Sequence, residues 1–213
     1  MGRIYLYKLA SVNGGAPCVA DGLLSLAICK PMIRASARDG DLLVGVAANS
    51  VDPGNRLVYV ARVTDRLVDG RYYKDRRYAG RADCIYQWAG NGYAVRKGGL
   101  YHGSQEDLVH DLGLDSAYPR ANVLLSTEFR YFGTTGPADY RQEFPHFANA
   151  VARLGRGHRV NHGDAVVREI EVMAERLLAA PEQTLPTSAT GTVGCAGECG
   201  TAPAKRATPR SKC

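Results

Sequence analysis

No run of apolar residues in the chain approaches the roughly 20 that a bilayer span needs. The longest, Leu23–Cys29 and Leu42–Ala48, are far shorter. The N-terminal stretch MGRIYLYKLASVNGG lacks the apolar core of a signal peptide, and no Ser or Thr stands at the sixth position for myristoylation. A cytoplasmic protein with no membrane partner is the expectation. Also missing are a P-loop, a GxSxG elbow, an HExxH helix and a dinucleotide fingerprint. Their absence removes the commonest enzyme classes. The six cysteines are spread through a chain too long to need a disulfide framework, so reduced thiols are expected.

What is present suits one well-buried domain: 213 residues, 45% of them hydrophobic. The net charge is +6. After Pro181, Lys205, Arg206, Arg210 and Lys212 face Glu182 and Glu198, so the body keeps +4 of that charge. A mildly basic body is compatible with polyanions and says nothing about fold. Residues 181–213 are rich in Pro, Gly, Thr and Ala with almost no bulky apolar side chains, which predicts a disordered basic tail behind a single domain over 1–180.

Arg3–Ala10 has strand composition, and Ser11–Pro17 is a loop. LLSLAIC suits a buried strand or a short helix; Lys30-Pro31 then favours a helix start, since proline at the first helical position gives up only an orphan N–H. Asp41–Ser50, Arg56–Val68 and Ala121–Gly133 read as strands. Residues 80–118 read as long irregular loops. In Asp164–Ala180, Val166, Ile170, Met173 and Leu177 repeat at helical spacing, a core-packing stripe.

Asp69–Arg81 interleaves Tyr72, Tyr73 and Tyr78 with Arg71, Lys74, Arg76, Arg77 and Arg81. Cations neutralise phosphates and tyrosines stack on bases, so this is the strongest nucleic-acid feature, although the same pattern suits a solvated segment with inward tyrosines. His158 and His162 are four apart, but Gly155, Gly157 and Gly163 break the helix that a metal pair would need. Gly155–Arg159 fits a flexible basic loop. Cys195, Cys199 and Cys213 give three thiols where structural zinc takes four ligands. No metal and no cofactor are therefore expected. Cys29 suits a buried structural thiol or a nucleophile activated by Lys30 and the start of the following helix. Asp83 and Tyr86 suit recognition of a base edge or satisfaction by local backbone amides.

In order, LAICKPMIRASARDGDLLVG, RLVYVARVTDRL, YYKDRRY, DCIYQ, VLLSTEFRYFG and GRGHR resemble the nucleotide-modification-associated domain family, type two, over about residues 3–178. Where relatives carry Gly-Asp-Asn-Ile-Tyr, this chain has Ala82-Asp83-Cys84-Ile85-Tyr86. A looser similarity, carried by GDLLVGVAAN and VYVARVTDRL, is to PUA, EVE and ASCH barrels. It implies an α+β fold: a small curved, mostly antiparallel barrel with flanking helices and a C-terminal helix.

These resemblances imply a module that binds nucleic acid or nucleotides and recognises a modified base, in a DNA-modification or phage-defence setting. Tyr72, Tyr73, Trp88 and Phe132 would stack. Lys30, Arg34, Arg76, Arg77 and Arg159 would meet phosphate. Asp83, Tyr86, Ser126 and His158 would face the base. The alternative is a hydrolase or transferase acting on a nucleotide or modified base, with Cys29 as nucleophile and His158 or Asp83 as acid/base.

Overall fold

The structure, a computed structural model, describes residues 2–114 and 117–180. The tail expected beyond residue 180, with its three cysteines, lies outside the described residues. In chain order the elements are β1 (Ile4–Leu9), β2 (Cys18–Ala20), β3 (Leu23–Leu26), α1 (Pro31–Ser36), β4 (Leu42–Ala47), β5 (Leu57–Arg62) and β6 (Asp65–Leu67). They continue as α2 (Arg71–Lys74), β7 (Tyr86–Trp88), β8 (Tyr93–Val95), α3 (Gln105–Leu112), β9 (Val123–Ser126) and β10 (Glu128–Tyr131). The last are α4 (Tyr140–Glu143), α5 (Pro145–Ala152), β11 (His158–Arg159) and α6 (Asp164–Ala179).

β1 is buried along both faces because it lies inside a covered sheet of order β10-β5-β4-β1-β11. Its pairing with β4 is parallel; β4 with β5, β5 with β10 and β1 with β11 are antiparallel. Strand side chains alternate between faces. One set, Ile4, Leu6, Val44 and Val60, packs with Phe147 of α5 and with Ile170, Met173 and Ala174 of α6. The α6 stripe read from the sequence therefore lands on the sheet. The other set, Tyr5, Tyr7, Leu9, Leu43, Tyr59 and Ala61, meets Leu24, Leu26 and Leu124 of a second sheet, order β2-β3-β9-β6. Gly45 makes room here: a Cβ on it would fall 2.4 Å from the Tyr59 ring. The Tyr7 and Tyr59 hydroxyls meet across that gap in a buried hydrogen bond.

The strands expected over 56–68 and 121–133 each bend to serve both sheets. β5 and β6 are parted by Val63-Thr64, and β9 and β10 by Thr127. The corner is pinned by the Thr64 N–H donating to the Leu125 carbonyl (2.9 Å) and the Thr127 N–H donating to Thr64 Oγ1 (3.1 Å). The fold is thus mixed α+β with a C-terminal helix. The expected barrel is not formed: among the described residues no sheet closes on itself. β2 pairs only with β3 and β11 only with β1, so the outer edges do not meet.

Below the second sheet lies a tyrosine-rich core of Tyr72, Tyr73, Tyr86 and Tyr93 with Cys29, Leu108 and Leu112. It gathers α2 together with α3 and the β7–β8 ribbon, the last two out of the stretch read as irregular. LLSLAIC resolves as strand β3 followed by a short approach to α1.

Candidate functional site

β3 leaves the second sheet at Leu26, and three residues later the backbone turns sharply. Cys29 and Lys30 are consecutive non-glycine residues in the left-handed region, at φ 55° and 46°. Such a conformation costs about 1–3 kcal/mol per residue and persists only where the surroundings enforce it. Pro31 then opens α1. The enforcement comes from two polar anchors. The Cys29 N–H donates to Asp111 Oδ1 (2.7 Å), and the Cys29 carbonyl accepts from Arg34 Nε (2.7 Å).

Asp111 lies near the end of α3, whose start is fixed by a capping box between Ser104 and Asp107. Its side chain is fully buried. Oδ2 accepts from the Tyr86 hydroxyl (2.8 Å) and from His102 Nδ1 (2.7 Å). A carboxylate at Nδ1 puts the proton of a neutral imidazole there and leaves the Nε2 lone pair outward. Nε2 faces Cys29 Sγ at 3.5 Å. Thiol, imidazole and carboxylate are thus in line. Arg34, itself 0% exposed, locks the assembly from beneath by donating to the carbonyls of Asp111 (2.9 Å), Arg120 (2.8 Å) and Asn122 (2.6 Å).

The thiol is close to the surface but covered. Cys29 is 1% exposed and borders a cavity of about 10 Å³ with Leu9, Ala10, Ser11, Ala16 and Lys30. That holds about one water. His102 keeps 13% of its side chain exposed. Its neighbour Tyr101 closes the cover: the Tyr101 ring lies where a Cβ on Gly15 would sit 2.9 Å away, and its hydroxyl donates to the Asn13 carbonyl (3.1 Å). The Lys30 ammonium lies 5.4 Å from the Tyr7 ring centre. Burial, with Lys30 nearby, holds the His158 imidazole below its ordinary pKa.

A second polar network packs behind β2 and β3. Asp83 accepts from Tyr72 (2.6 Å) and Ser25 (2.6 Å), while Arg81 donates to Ser25 (2.8 Å) and to the carbonyls of Cys18 (3.1 Å), Ala20 (2.9 Å) and Leu23 (3.0 Å). Burial pushes the Asp83 carboxyl above its ordinary range despite these donors.

Comparison with family models matches residues 1–188 to nucleotide modification associated domain 2. The chain belongs to that family. No curated protein and no solved structure matches it. The matched segment of this nucleotide-modification-associated domain includes Cys29, His102, Asp111 and the Asp83 network. No helix among the described residues is long and apolar enough to cross a membrane, and no cluster there has the make-up of a metal site.

The residues singled out from the sequence distribute unevenly over the domain. Tyr72 and Tyr73 are buried, with hydroxyls on Asp83 and on the Ala27 carbonyl (2.6 Å), so their rings face the core. Arg34 is enclosed and spent on carbonyls, and Asp83 on its own network. Tyr86 belongs to the Asp111 cluster. Ser126 is buried and bonds the backbone of Glu128. Phe132 is half-buried against the helical layer. Arg76, Arg77 and Arg159 are exposed, with Arg77 held by Asp75 (2.7 Å). His158 packs on Tyr5 at 5.7 Å between ring centres. Trp88 is exposed, and Lys30 is half-exposed at the mouth of the thiol site. The imidazole that reaches Cys29 is that of His102, which sequence reasoning passed over along with Asp111. The Ser104-x-x-Asp107 capping signature was the available signal that a helix, not a loop, follows His102.

Proposed function

We propose that this domain is an enzyme with thiol-based chemistry on a nucleotide or modified base, working in DNA modification or phage defence. The observation that carries this reading is the alignment of Cys29 Sγ, His102 and Asp111. A thiol is a weak nucleophile until a positioned base takes its proton, and a base is fixed in the right tautomer by a third group. The chemistry follows from that order. His102 Nε2 takes the Cys29 proton, and Sγ bonds to an electrophilic carbon that bears a displaceable amine or acyl-linked group. The C–X bond breaks, and X leaves with the proton from His102. Water, deprotonated by the same imidazole, then splits the C–S bond, returning the thiol and leaving a hydrolysed product. Transfer to a hydroxyl or amine in place of water gives the transferase variant.

Recognition of the modified base, in nucleic acid or as a free nucleotide, is the first half of that chemistry. It stands by itself as a second reading if Cys29 proves inert, and the exposed Trp88 ring favours it.

Iodoacetamide labelling with peptide mapping tests the thiol. Burial raises the pKa of the Cys18 and Cys84 thiols, that of Cys84 to about 11. Of Cys18, Cys29 and Cys84, Cys29 is expected to label first near neutral pH, and His102→Gln to slow it selectively. A panel of nucleotides and oligonucleotides with acylated or aminated bases should then show turnover that Cys29→Ser abolishes. Equal labelling of Cys29 in wild type and His102→Gln, with no Cys29-dependent turnover, would overturn the enzyme reading.

A further inference from the structure

The aromatic core below the second sheet runs out to the surface at one point. Tyr86 stacks edge-on with Tyr73 (5.4 Å), Tyr73 with Tyr93 (5.9 Å), and Tyr93 with Trp88 (5.2 Å). Trp88 ends this row 44% exposed, its edge braced further by Tyr118 (6.4 Å). Tyr118 is in turn fixed by accepting from the Tyr93 N–H (3.0 Å). The indole is therefore a large aromatic ring held rigidly with much of its surface in solvent. The Lys74 ammonium lies 4.7 Å from its centroid. Lys74 and Arg71 are three apart on α2 and share one side of that helical turn. Arg76 follows directly, and all three are exposed. Among the described residues no carboxylate lies within salt-bridge distance of Arg71, Lys74 or Arg76, whereas Arg77 is occupied by Asp75.

From these residues we infer that Trp88, with Lys74, Arg71 and Arg76, is a docking platform for single-stranded nucleic acid. A ring face stacks only on a base whose own face is open, which duplex pairing denies and a single strand offers. Lys74 over the ring and the exposed Arg71 and Arg76 next to it in the chain, none of them paired with a carboxylate among the described residues, exceed what a lone nucleotide needs and suit successive phosphates of a strand. The platform is also tied to the thiol site. Trp88 stands two residues along β7 from Tyr86, about 7 Å between Cα atoms, and the Tyr86 hydroxyl holds Asp111. That the docked strand is the substrate of Cys29 rests on the preceding reading; that it docks at Trp88 rests on the platform alone.

Trp88 is the sole tryptophan of the chain, so its intrinsic fluorescence reports stacking at this position and nowhere else. The full chain is titrated with oligothymidylate of about ten nucleotides, with its duplex on oligoadenylate, and with thymidine monophosphate. Quenching by the single strand, with weak response to the other two, is expected. Replacing Lys74 or Arg71 with Gln should lower the slope of log affinity against log salt by about 0.7 each. Trp88→Leu, followed by anisotropy of a labelled strand, should weaken binding by about 5-fold to 150-fold. No quenching by the single strand, or equal quenching by duplex and mononucleotide, removes the platform. Cys29→Ser must quench like wild type. Strand binding without Cys29-dependent turnover sinks the enzyme and keeps the platform; turnover of free nucleotides without quenching does the reverse.

Discussion

At the scale of single residues, a basic side chain in a basic segment turned out to be the largest fully buried side chain among the described residues. Arg34 reaches carbonyls on three separated stretches of chain with one planar fork, a geometry that a lysine ammonium does not reproduce. Removing it would leave several buried carbonyls without donors and Asp111 without its neighbouring charge. Arg34→Met and Arg34→Lys are both expected to destabilise the domain, the former by about 3–5 kcal/mol, measured by urea denaturation. Tyr86→Phe removes one donor from the same carboxylate and should cost about 1–3 kcal/mol. Its more telling readout is the pH profile of Cys29 labelling, because Asp111 then leans more heavily on His102. An unchanged profile would mean that the Tyr86 hydroxyl takes no part in setting the thiol.

At the scale of elements, much was legible and the gaps have physical causes. The strands at 41–50, 56–68 and 121–133 could be read because they are largely apolar, β-rich runs that end up buried, and α6 because it buries one face at helical spacing. The bends at Val63-Thr64 and Thr127 could not, since a strand crossing from one sheet to another keeps its alternation. Eight-residue α3 is mostly polar on its surface and left only its cap as a signal. His102 reaches Cys29 from 73 residues away through loop packing, which no spacing rule encodes. The loop holding His102 is fastened through Tyr101 to Gly15 and Asn13, and this suggests a substitution. Gly15→Ala places a methyl 2.9 Å from the Tyr101 ring. The ring must shift, so labelling of Cys29 should become faster while any Cys29-dependent turnover falls. If both stay at wild-type values, Tyr101 is not the cover of the site.

At the scale of the whole molecule, the histidines near β1 predict a response to acid. Burial lowers the pKa of both His158 and His162. Their folded forms therefore bind protons less readily than the unfolded chain, where histidine titrates near 6.5. Stability from this source is present above that value and is lost as pH falls through it toward the folded pKa. Asp83 runs the other way: its raised pKa gives stability present below the ordinary carboxylate range and lost as pH rises through the folded value. Thermal melts between about pH 5 and 7 should show a decline on acidification that flattens in His162→Asn. An identical slope in the variant would assign the decline to other groups.

The position of β1 carries one more consequence, for the order in which the molecule is made. β1, made before both of its partner strands, pairs on one side with β4 and on the other with β11, and the Ile4 carbonyl faces His162 Nε2 at 3.1 Å. On the ribosome, residues 4–9 thus wait with one edge open until nearly the whole domain has emerged. A nascent chain halted before residue 158 should remain sensitive to protease in β1, and release of a few further residues should protect it.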